Sequence, residues 1–577
     1  MLSLVKDRLS AQNFYFVSEL TLKMMSLKAS LLLLLGVIVS VILIHSCDPS
    51  APAPSVEEPS EIVESDILPH LKELADDKYM GRMPFGPGDP MSVAYLVEQC
   101  KKMGLQPGNN GSYTQSVPMV EITSTSTKPM TIKNSNGTKD YQFGKDYVIH
   151  CQKTVDAVNI EDAELVFCGY GIQSDQPNWD DFAGIDMKDK IAVVLVNDPG
   201  FGGEDSTFFK GDVMTYFGRW TYKYEEADRQ GARGLLIIHE TNSAGYPWFV
   251  VQSSWTGPQL GLEKESVQNG ADIKGWIHLD MAKDVFASSG KDLSALIREA
   301  RTPGFKPVPL GSTMSTALSN VYKRDASDNV VAYVEGTTQP EEYVLYSAHW
   351  DHIGVGAVVN GDSIYNGALD NASGTATVLA IAENLSQQEN KPERSVLFTF
   401  VTAEEQGLLG SEYYALNPTV PINSIVANIN VDGCNPNGRM KDFQIVGYGH
   451  SEMDDLAAVE LEKQGRYVLP DQEPGKGYFF RSDHFNFAKV GIPALFGEGG
   501  YDHEVHGIEY GKKKKEEYTA KNYHAPSDEY DAESWDMSGV VQDAQLYYNI
   551  GWQLANSEVW PKWNPESEFK RQKTLVD

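Results

Sequence analysis

Apolar and polar positions fall into three textures along this chain. Between about 315 and 560, short apolar runs alternate with amphipathic stretches. NVVAYVEG (329–336), YVLYSAH (343–349), SVLFTFVTA (395–403), SIVANINVD (424–432) and IPALFG (492–497) read as strands, and TATVLAIAENLSQQ (375–388), HSEMDDLAAVELEKQG (450–465) and VVQDAQLYYNIGWQLA (540–555) as helices. That alternation predicts an α/β domain. From about 122 to 310 the runs become short and β-rich, as in AELVFCGYGI (163–172) and KIAVVLVND (190–198), with a helical YKYEEADRQGARG feeding LLIIHE. This stretch reads as a separate insert. Residues 66–118 read as helical, broken at the turn-rich GRMPFGPGDP. No repeat of fixed period is found.

The N-terminus differs from all three. LLLLLGVIVSVILI (31–44) follows Lys23 and Lys28 and runs into Cys47, the arrangement of an export signal. A cysteine just past the apolar run, followed by the polar DPSAPAPSVEEPSEIVES, looks like a bacterial lipoprotein signal in which Cys47 is lipidated, although His45 is an unusual neighbour. The competing reading is an uncleaved anchor, for which 14 apolar residues are few. Met24 or Met25 is an alternative start. The expected organisation is a signal segment (1–47), a flexible tether (48–65), a catalytic domain in two parts (66–121 and 313–560) around an insert (122–312), and a tail (561–577). The protein is expected to be exported and held by its lipid at a membrane, facing the periplasm or the cell exterior.

Composition narrows the function classes. The chain is 577 residues long, 41% hydrophobic and 22% charged, an ordinary globular balance with room for two to four domains. Loss of residues 1–47, with four basic and two acidic side chains, takes the net charge from −32 to −34. So acidic a protein is a poor nucleic-acid binder. The KKKK run (512–515) leads directly into Glu516 and Glu517 and reads as a solvated loop. Past Cys47 the cysteines are Cys100, Cys151, Cys168 and Cys434, without CxxC spacing; a Cys151–Cys168 bridge is left open.

Functional groups of α/β sheets gather beyond the carboxyl ends of the strands. Here SAHWDHIG, TAEEQG and NVDG follow strands, and NGALDNASG enters a helix, delivering His349, Glu405, Asp432 and Asp370 to one rim. His524, in the turn-rich NYHAPSDEY, is a fifth candidate. Histidine with carboxylate is a zinc ligand set, and two histidines with three carboxylates serve two metals only if one carboxylate bridges. Each group alone has a plain structural explanation as a turn, a cap or a hydrogen-bonded core histidine. Five at one rim are harder to explain that way. No GxSxG nucleophile motif and no phosphate-binding glycine loop is present.

The ordered set SAHWDH, GALDNASG, TAEEQGLLGS, NVDG and YHAPSDEY resembles the co-catalytic di-zinc exopeptidases, the family of bacterial leucyl aminopeptidases and glutamate carboxypeptidases. The insert resembles the protease-associated domain of one subgroup. The resemblance implies a three-layer α/β sandwich with a mixed, mostly parallel sheet, and two zinc ions. One would be held by His349 and Asp432, the other by Glu405 and His524, with Asp370 bridging. It also implies Glu404 as general base, Asp351 orienting His349, and a cis peptide at Asp370–Asn371. It places Ser482, Asp483 and His484 beside the substrate, where a local capping role is the alternative. His352 could face the site or be structural; His503 and His506 of HEVHG, three apart rather than four, read as solvated loop residues.

An aminopeptidase acting on peptides is the expected activity. A carboxypeptidase for acidic C-terminal residues would need clustered arginines, and Arg394, Arg439, Arg466 and Arg481 are scattered in sequence. A non-catalytic receptor on the same fold, or a single-zinc cyclase, would not need Glu404 with all five ligand positions.

Overall fold

The computed structural model describes residues 59–571 except Gln176. The signal segment, Cys47 and residues 48–58 of the tether lie outside the described residues, and the end of the tether, Glu64 and Ser65, is already helical. No helix among the described residues is long and apolar enough to cross a membrane.

The first elements are helix α1 (Glu64–Leu74) and helix α2 (Asp89–Lys102). In α1, Ile67, Leu71 and Leu74 recur at helical spacing and are buried, with acidic residues in the first turn and Lys72 in the last, as the helix dipole favours. The helical reading of 66–118 stops there, because the long strand β1 (Thr114–Asn134) has already begun. Strands β2 (Tyr147–His150), β3 (Ala157–Phe167) and β4 (Ile191–Leu195), helix α3 (Trp220–Arg229), and strands β5 (Gly234–His239) and β6 (Ile273–His278) follow. Strands β3 to β6 run parallel in sequence order, with apolar clusters on both faces. The insert is therefore itself an α/β sheet rather than purely β-rich. Cys151 and Cys168 lie in those two separate clusters and are both free.

Strand β7 (Val308–Val334) pairs with β1 over most of its length and passes from the insert into the catalytic part, so one sheet runs through both. There follow β8 (Gln339–His349), a hairpin of β9 (Gly354–Val359) and β10 (Asp362–Tyr365), helix α4 (Gly374–Gln387), β11 (Arg394–Val401), β12 (Ile425–Asn430), β13 (Asp442–Ile445), helix α5 (Met453–Lys463), β14 (Tyr467–Pro470), β15 (Ala494–Gly499), and helices α6 (Ile508–Lys521) and α7 (Met537–Ala555). The order across the sheet is β14-β13-β15-β12-β8-β11-β7-β3-β4-β5-β6-β2. Strands β11, β8, β12 and β15 are mutually parallel, while β7 runs against β11 and β3, and β13 runs against β15 but parallel to β14.

Alternate residues of these strands face opposite layers. Val344, Tyr346 and Ala348 of β8, with Val396, Phe398 and Phe400 of β11, pack with α1, α4 and α7. Leu345 and Leu397 between them join Tyr414 and Phe487 in a cluster on the other face. Two covered faces explain why these strands read as nearly continuous apolar runs. The KKKK run is not a loop. It lies in α6, where Lys513 pairs with Glu517 one turn on and Lys515 with Glu498 of β15.

Candidate metal centre

Because β8, β11 and β12 are parallel neighbours, their carboxyl ends open on one edge, and that is where the candidate ligands collect. His349 is the last residue of β8. Its Nε2 lies 3.1 Å from Asp432 Oδ1, just past β12, and 3.3 Å from Asp370 Oδ1. The other oxygen of Asp370 lies 3.3 Å from His524 Nε2, which is 3.1 Å from Glu405 Oε2. Asp370 thus turns one oxygen to each histidine. Four donors around an ion with bonds of roughly 2.0–2.1 Å stand about 3.3–3.4 Å apart in a tetrahedron, so these spacings fit two cations sharing Asp370.

His352 approaches the second group too, with Nδ1 2.6 Å from Glu405 Oε1. His349 with Asp370 and Asp432, and His352 with Asp370 and Glu405, both bring donors within reach of one ion. A 2.6 Å separation is a hydrogen bond, too close for two donors sharing an ion comfortably. His524 faces both Asp370 and Glu405 at ligand spacing and is the better ligand; His352 orients Glu405 instead.

Several contacts fix Asp370. The turn Ala368–Ser373 precedes α4, and the Asp370–Asn371 peptide is cis. Gly367 has φ +56°, and a Cβ there would meet Asp370 O at 2.2 Å and His352 Cγ at 2.5 Å, so only glycine fits. Asn371 donates to Val431 O and accepts from the amides of Gly374 and Gly433, tying the turn to the segment that carries Asp432. Asp528, four residues after His524, accepts from the amides of Leu369 and Asp370, both at 3.1 Å. Arg82 donates to the carbonyls of Asn366 and Gly367 from beneath. Asp528 lies inside the YHAPSDEY motif without an assigned role, and Arg82 carries no sequence signal at all.

The adjacent glutamates have different surroundings. Glu405 faces His524 and His352, whereas Glu404 stands outside both ligand groups, with Oε2 3.9 Å from His349 Nε2. Burial pushes Glu404 well above the usual carboxylate range; the His349 charge opposes this, and Asp432 and Glu405 add to the rise. Glu405 is held down at about 2, because His352 and His524 outweigh the upward pull of burial and Asp370. Burial lowers His524, but Glu405 and Asp370 raise it to about 10.

Asp351 meets the His349 ring chiefly through its backbone, its Oδ1 standing 3.8 Å from His349 Nδ1. His349 Nδ1 meets the Asp351 backbone carbonyl at 3.1 Å, while Asp351 Oδ1 accepts from the Glu404 amide at 3.0 Å. Ser482, Asp483 and His484 are all buried. Ser482 donates to Asp432 Oδ2 at 2.5 Å, and His484 sits between the rings of Phe479 and Phe496. Asp483 is pushed by burial to about 7. His503 is buried as well, its Nδ1 accepting from the amides of Val505 and His506.

A shared carboxylate between two histidine–carboxylate groups, at the carboxyl edge of a mostly parallel sheet, defines a candidate binuclear metal centre. Residues 329–549 match Peptidase family M28. Mouse (Mus musculus) Aminopeptidase NAALADL1 is 34% identical over 138 residues, 22% of this chain and 17% of that protein. The probable leucine aminopeptidase 2 of Aspergillus oryzae is 33% identical over 214 residues, 35% of this chain and 39% of that protein. The matched stretches thus span well under half of these relatives. Among solved structures, the aminopeptidase from Aneurinibacillus sp. strain AM-1 aligns with 89% of this chain and 98% of its own, at 18% identity and a TM-score of 0.46.

Proposed function

We propose that this protein is a di-zinc aminopeptidase removing N-terminal residues from peptides, with Glu404 as general base. The observation that carries the reading is Asp370, whose two oxygens face His349 and His524 separately, with Glu404 3.9 Å from His349 and in neither group. His349 and Asp432 would hold one zinc ion, Glu405 and His524 the other, and Asp370 both. The chemistry such an ion pair supplies when bound is acidification of a water and polarisation of a carbonyl.

The chain's own residues do the rest. Glu404 takes the proton from the attacking water and passes it to the leaving amine, a role that suits a buried carboxyl with a raised pKa. Asp351 fixes the Glu404 backbone, Ser482 fixes Asp432, and His352 fixes Glu405. Match to an M28 peptidase and relatives named as aminopeptidases support a peptide substrate. The insert reads as a protease-associated cover on the catalytic part, held by pairs such as Lys489 with Glu225 and Lys264 with Glu412. The N-terminal sequence supports export and lipidation at Cys47.

One observation favours a second reading, a carboxypeptidase of the glutamate carboxypeptidase type. Arg219 of the insert and Arg481, next to Ser482, each bury an Nε without a hydrogen-bond partner. Burial, with the Arg481 charge added, lowers Arg219 to about 10. Such a pair suits a carboxylate on the substrate. Mass spectrometry of products from one peptide offered free, N-acetylated and C-amidated separates the two. Loss from the N-terminus, blocked by acetylation and spared by amidation, is the expected result. Loss from the C-terminus, blocked by amidation, would replace the aminopeptidase with the carboxypeptidase.

A further inference from the structure

We infer that Arg82, in the DKYMGR stretch between α1 and α2, is a positioning residue for the metal centre: a buried guanidinium that clamps both ends of the segment running from the His349 strand to the bridging Asp370. The inference rests on the reading of Asp370 as a shared metal ligand.

Arg82 is 1% exposed, and the bonds it makes are to neutral backbone carbonyls. Its Nε donates to Trp350 O at 2.7 Å. One terminal nitrogen donates to Leu74 O and Asn366 O, both at 2.6 Å, and the other to Gly367 O at 2.9 Å. Trp350 immediately follows the ligand His349. Asn366 and Gly367 close the β9–β10 excursion just before the bridging turn. One side chain therefore pins the departure and the return of the hairpin, and anchors both to the carboxyl end of α1 through Leu74. Only a planar fork with several fixed donors can reach carbonyls on three sides at once; a lysine ammonium cannot reproduce it.

The local backbone is arranged to deliver this group inward. Met80, Gly81 and Arg82 all have left-handed φ, at +50°, +67° and +53°. A Cβ at Gly81 would lie 2.5 Å from both Gly354 O and Tyr365 O, so the turn is pressed against the base of the hairpin. From the other side, Asp528 receives the amides of Leu369 and Asp370. The bridging turn is gripped at its carbonyls by a buried cation and at its amides by a buried carboxylate. The positive charge also sits among Asp351, Asp528, Asp370 and Glu405, where it offsets part of the repulsion among them.

The test compares Arg82→Lys with Arg394→Lys. Arg394 is an equally buried clamp, donating to Leu554 O, Val559 O and Glu342, but it lies at the opposite end of β11 from the glutamates. Zinc affinity is read by competition with a chromophoric chelator, and kcat and KM on a peptide at saturating zinc. Arg82→Lys is expected to weaken zinc binding by about tenfold to a hundredfold, as loss of an outer partner of a metal ligand does, and to lower kcat with KM unchanged. Arg394→Lys should lower the melting temperature without moving either. Equal zinc affinity in Arg82→Lys and wild type, where wild type binds two ions, overturns the positioning role alone. Wild type binding no zinc overturns the metallopeptidase reading, and this inference with it. If Arg82→Lys does not fold, hydrogen exchange on the metal-free wild type decides. Amides 368–372 protected without zinc support a turn clamped by the protein; exchange at exposed-loop rates until zinc is added overturns it.

Discussion

The Glu404 amide donates to the Asp351 carboxylate at 3.0 Å, while the carbonyl of the same aspartate receives His349 Nδ1 at 3.1 Å. One residue thus orients His349, a proposed ligand, through its backbone and Glu404, the proposed base, through its side chain. The two roles separate on mutation. Asp351→Ala keeps the carbonyl and loosens the Glu404 turn, so kcat should fall by roughly tenfold to a hundredfold, the cost of misplacing a catalytic group, with zinc content unchanged. Equal loss of zinc and activity, read by elemental analysis beside kinetics, would contradict that division.

Ser482 offers a milder perturbation. Its hydroxyl donates to Asp432 Oδ2 and accepts from Asn430. Ser482→Ala should weaken the ion held by His349 and Asp432 by about tenfold and leave the other alone, giving a biphasic zinc titration. A titration superimposable on wild type would show that the contact does not orient the ligand.

Removing metal should make stability fall as pH rises. In the metal-free protein, burial raises Asp351 to about 8 and Asp483 to about 7, and Glu405 and Asp370 outweigh burial in raising His524 to about 10. A group whose folded pKa lies above its unfolded one lends stability that is lost as pH climbs through the folded value. Melting temperatures of chelator-treated protein should therefore drop steadily between pH 6 and 9, and zinc should restore most at the alkaline end. A flat profile would mean that the carboxylates do not repel one another as their burial implies.

Acid acts elsewhere with the opposite sign. His450 stacks on Phe479 with centroids 4.5 Å apart, in the cluster that joins Met214 of the insert to Phe569 of the tail. Burial lowers it to about 4, although Glu568 pulls upward. With the folded pKa below the unfolded value of about 6.5, its contribution is complete above pH 6.5 and is lost as pH falls towards 4. His450→Phe keeps the stacking and removes the proton site. The loss of stability between pH 6.5 and 4.5, from urea titrations, should be smaller in the variant by up to about 1.4 kcal/mol per pH unit. An unchanged slope would rule His450 out as a source of acid sensitivity.

Packing behind the ligand strand is tight. A Cβ on Gly551 of α7 would fall 1.7 Å from the Tyr346 hydroxyl on β8, which itself donates to Tyr547 O. Gly551→Ala should cost about 1–3 kcal/mol by overpacking. Thermal unfolding within 1 °C of wild type would show that the helix can shift freely.

The strands and helices of the catalytic part were legible because two-sided burial makes their apolar runs long, and because acids and histidines at the ends of parallel strands must share an edge. What sequence could not carry was contact through the backbone. Asp351 holds His349 by a carbonyl, and Arg82 holds four carbonyls from a stretch of turns, so neither leaves a side-chain partner to recognise. The KKKK run reads as a loop from charge alone, but its helical spacing puts Lys513 and Glu517 one turn apart. Ser482, Asp483 and His484 were placed near the site, but nothing in their order tells that they are buried behind it.

The central claim is that Glu404 supplies base catalysis without holding metal. It is tested by measuring peptide hydrolysis by wild type and Glu404→Gln at matched, measured zinc content. About two zinc ions per chain in both proteins, with hydrolysis slowed by roughly a hundredfold or more in the variant, is the predicted result. Wild-type rates in Glu404→Gln, or loss of zinc in step with activity, would contradict it.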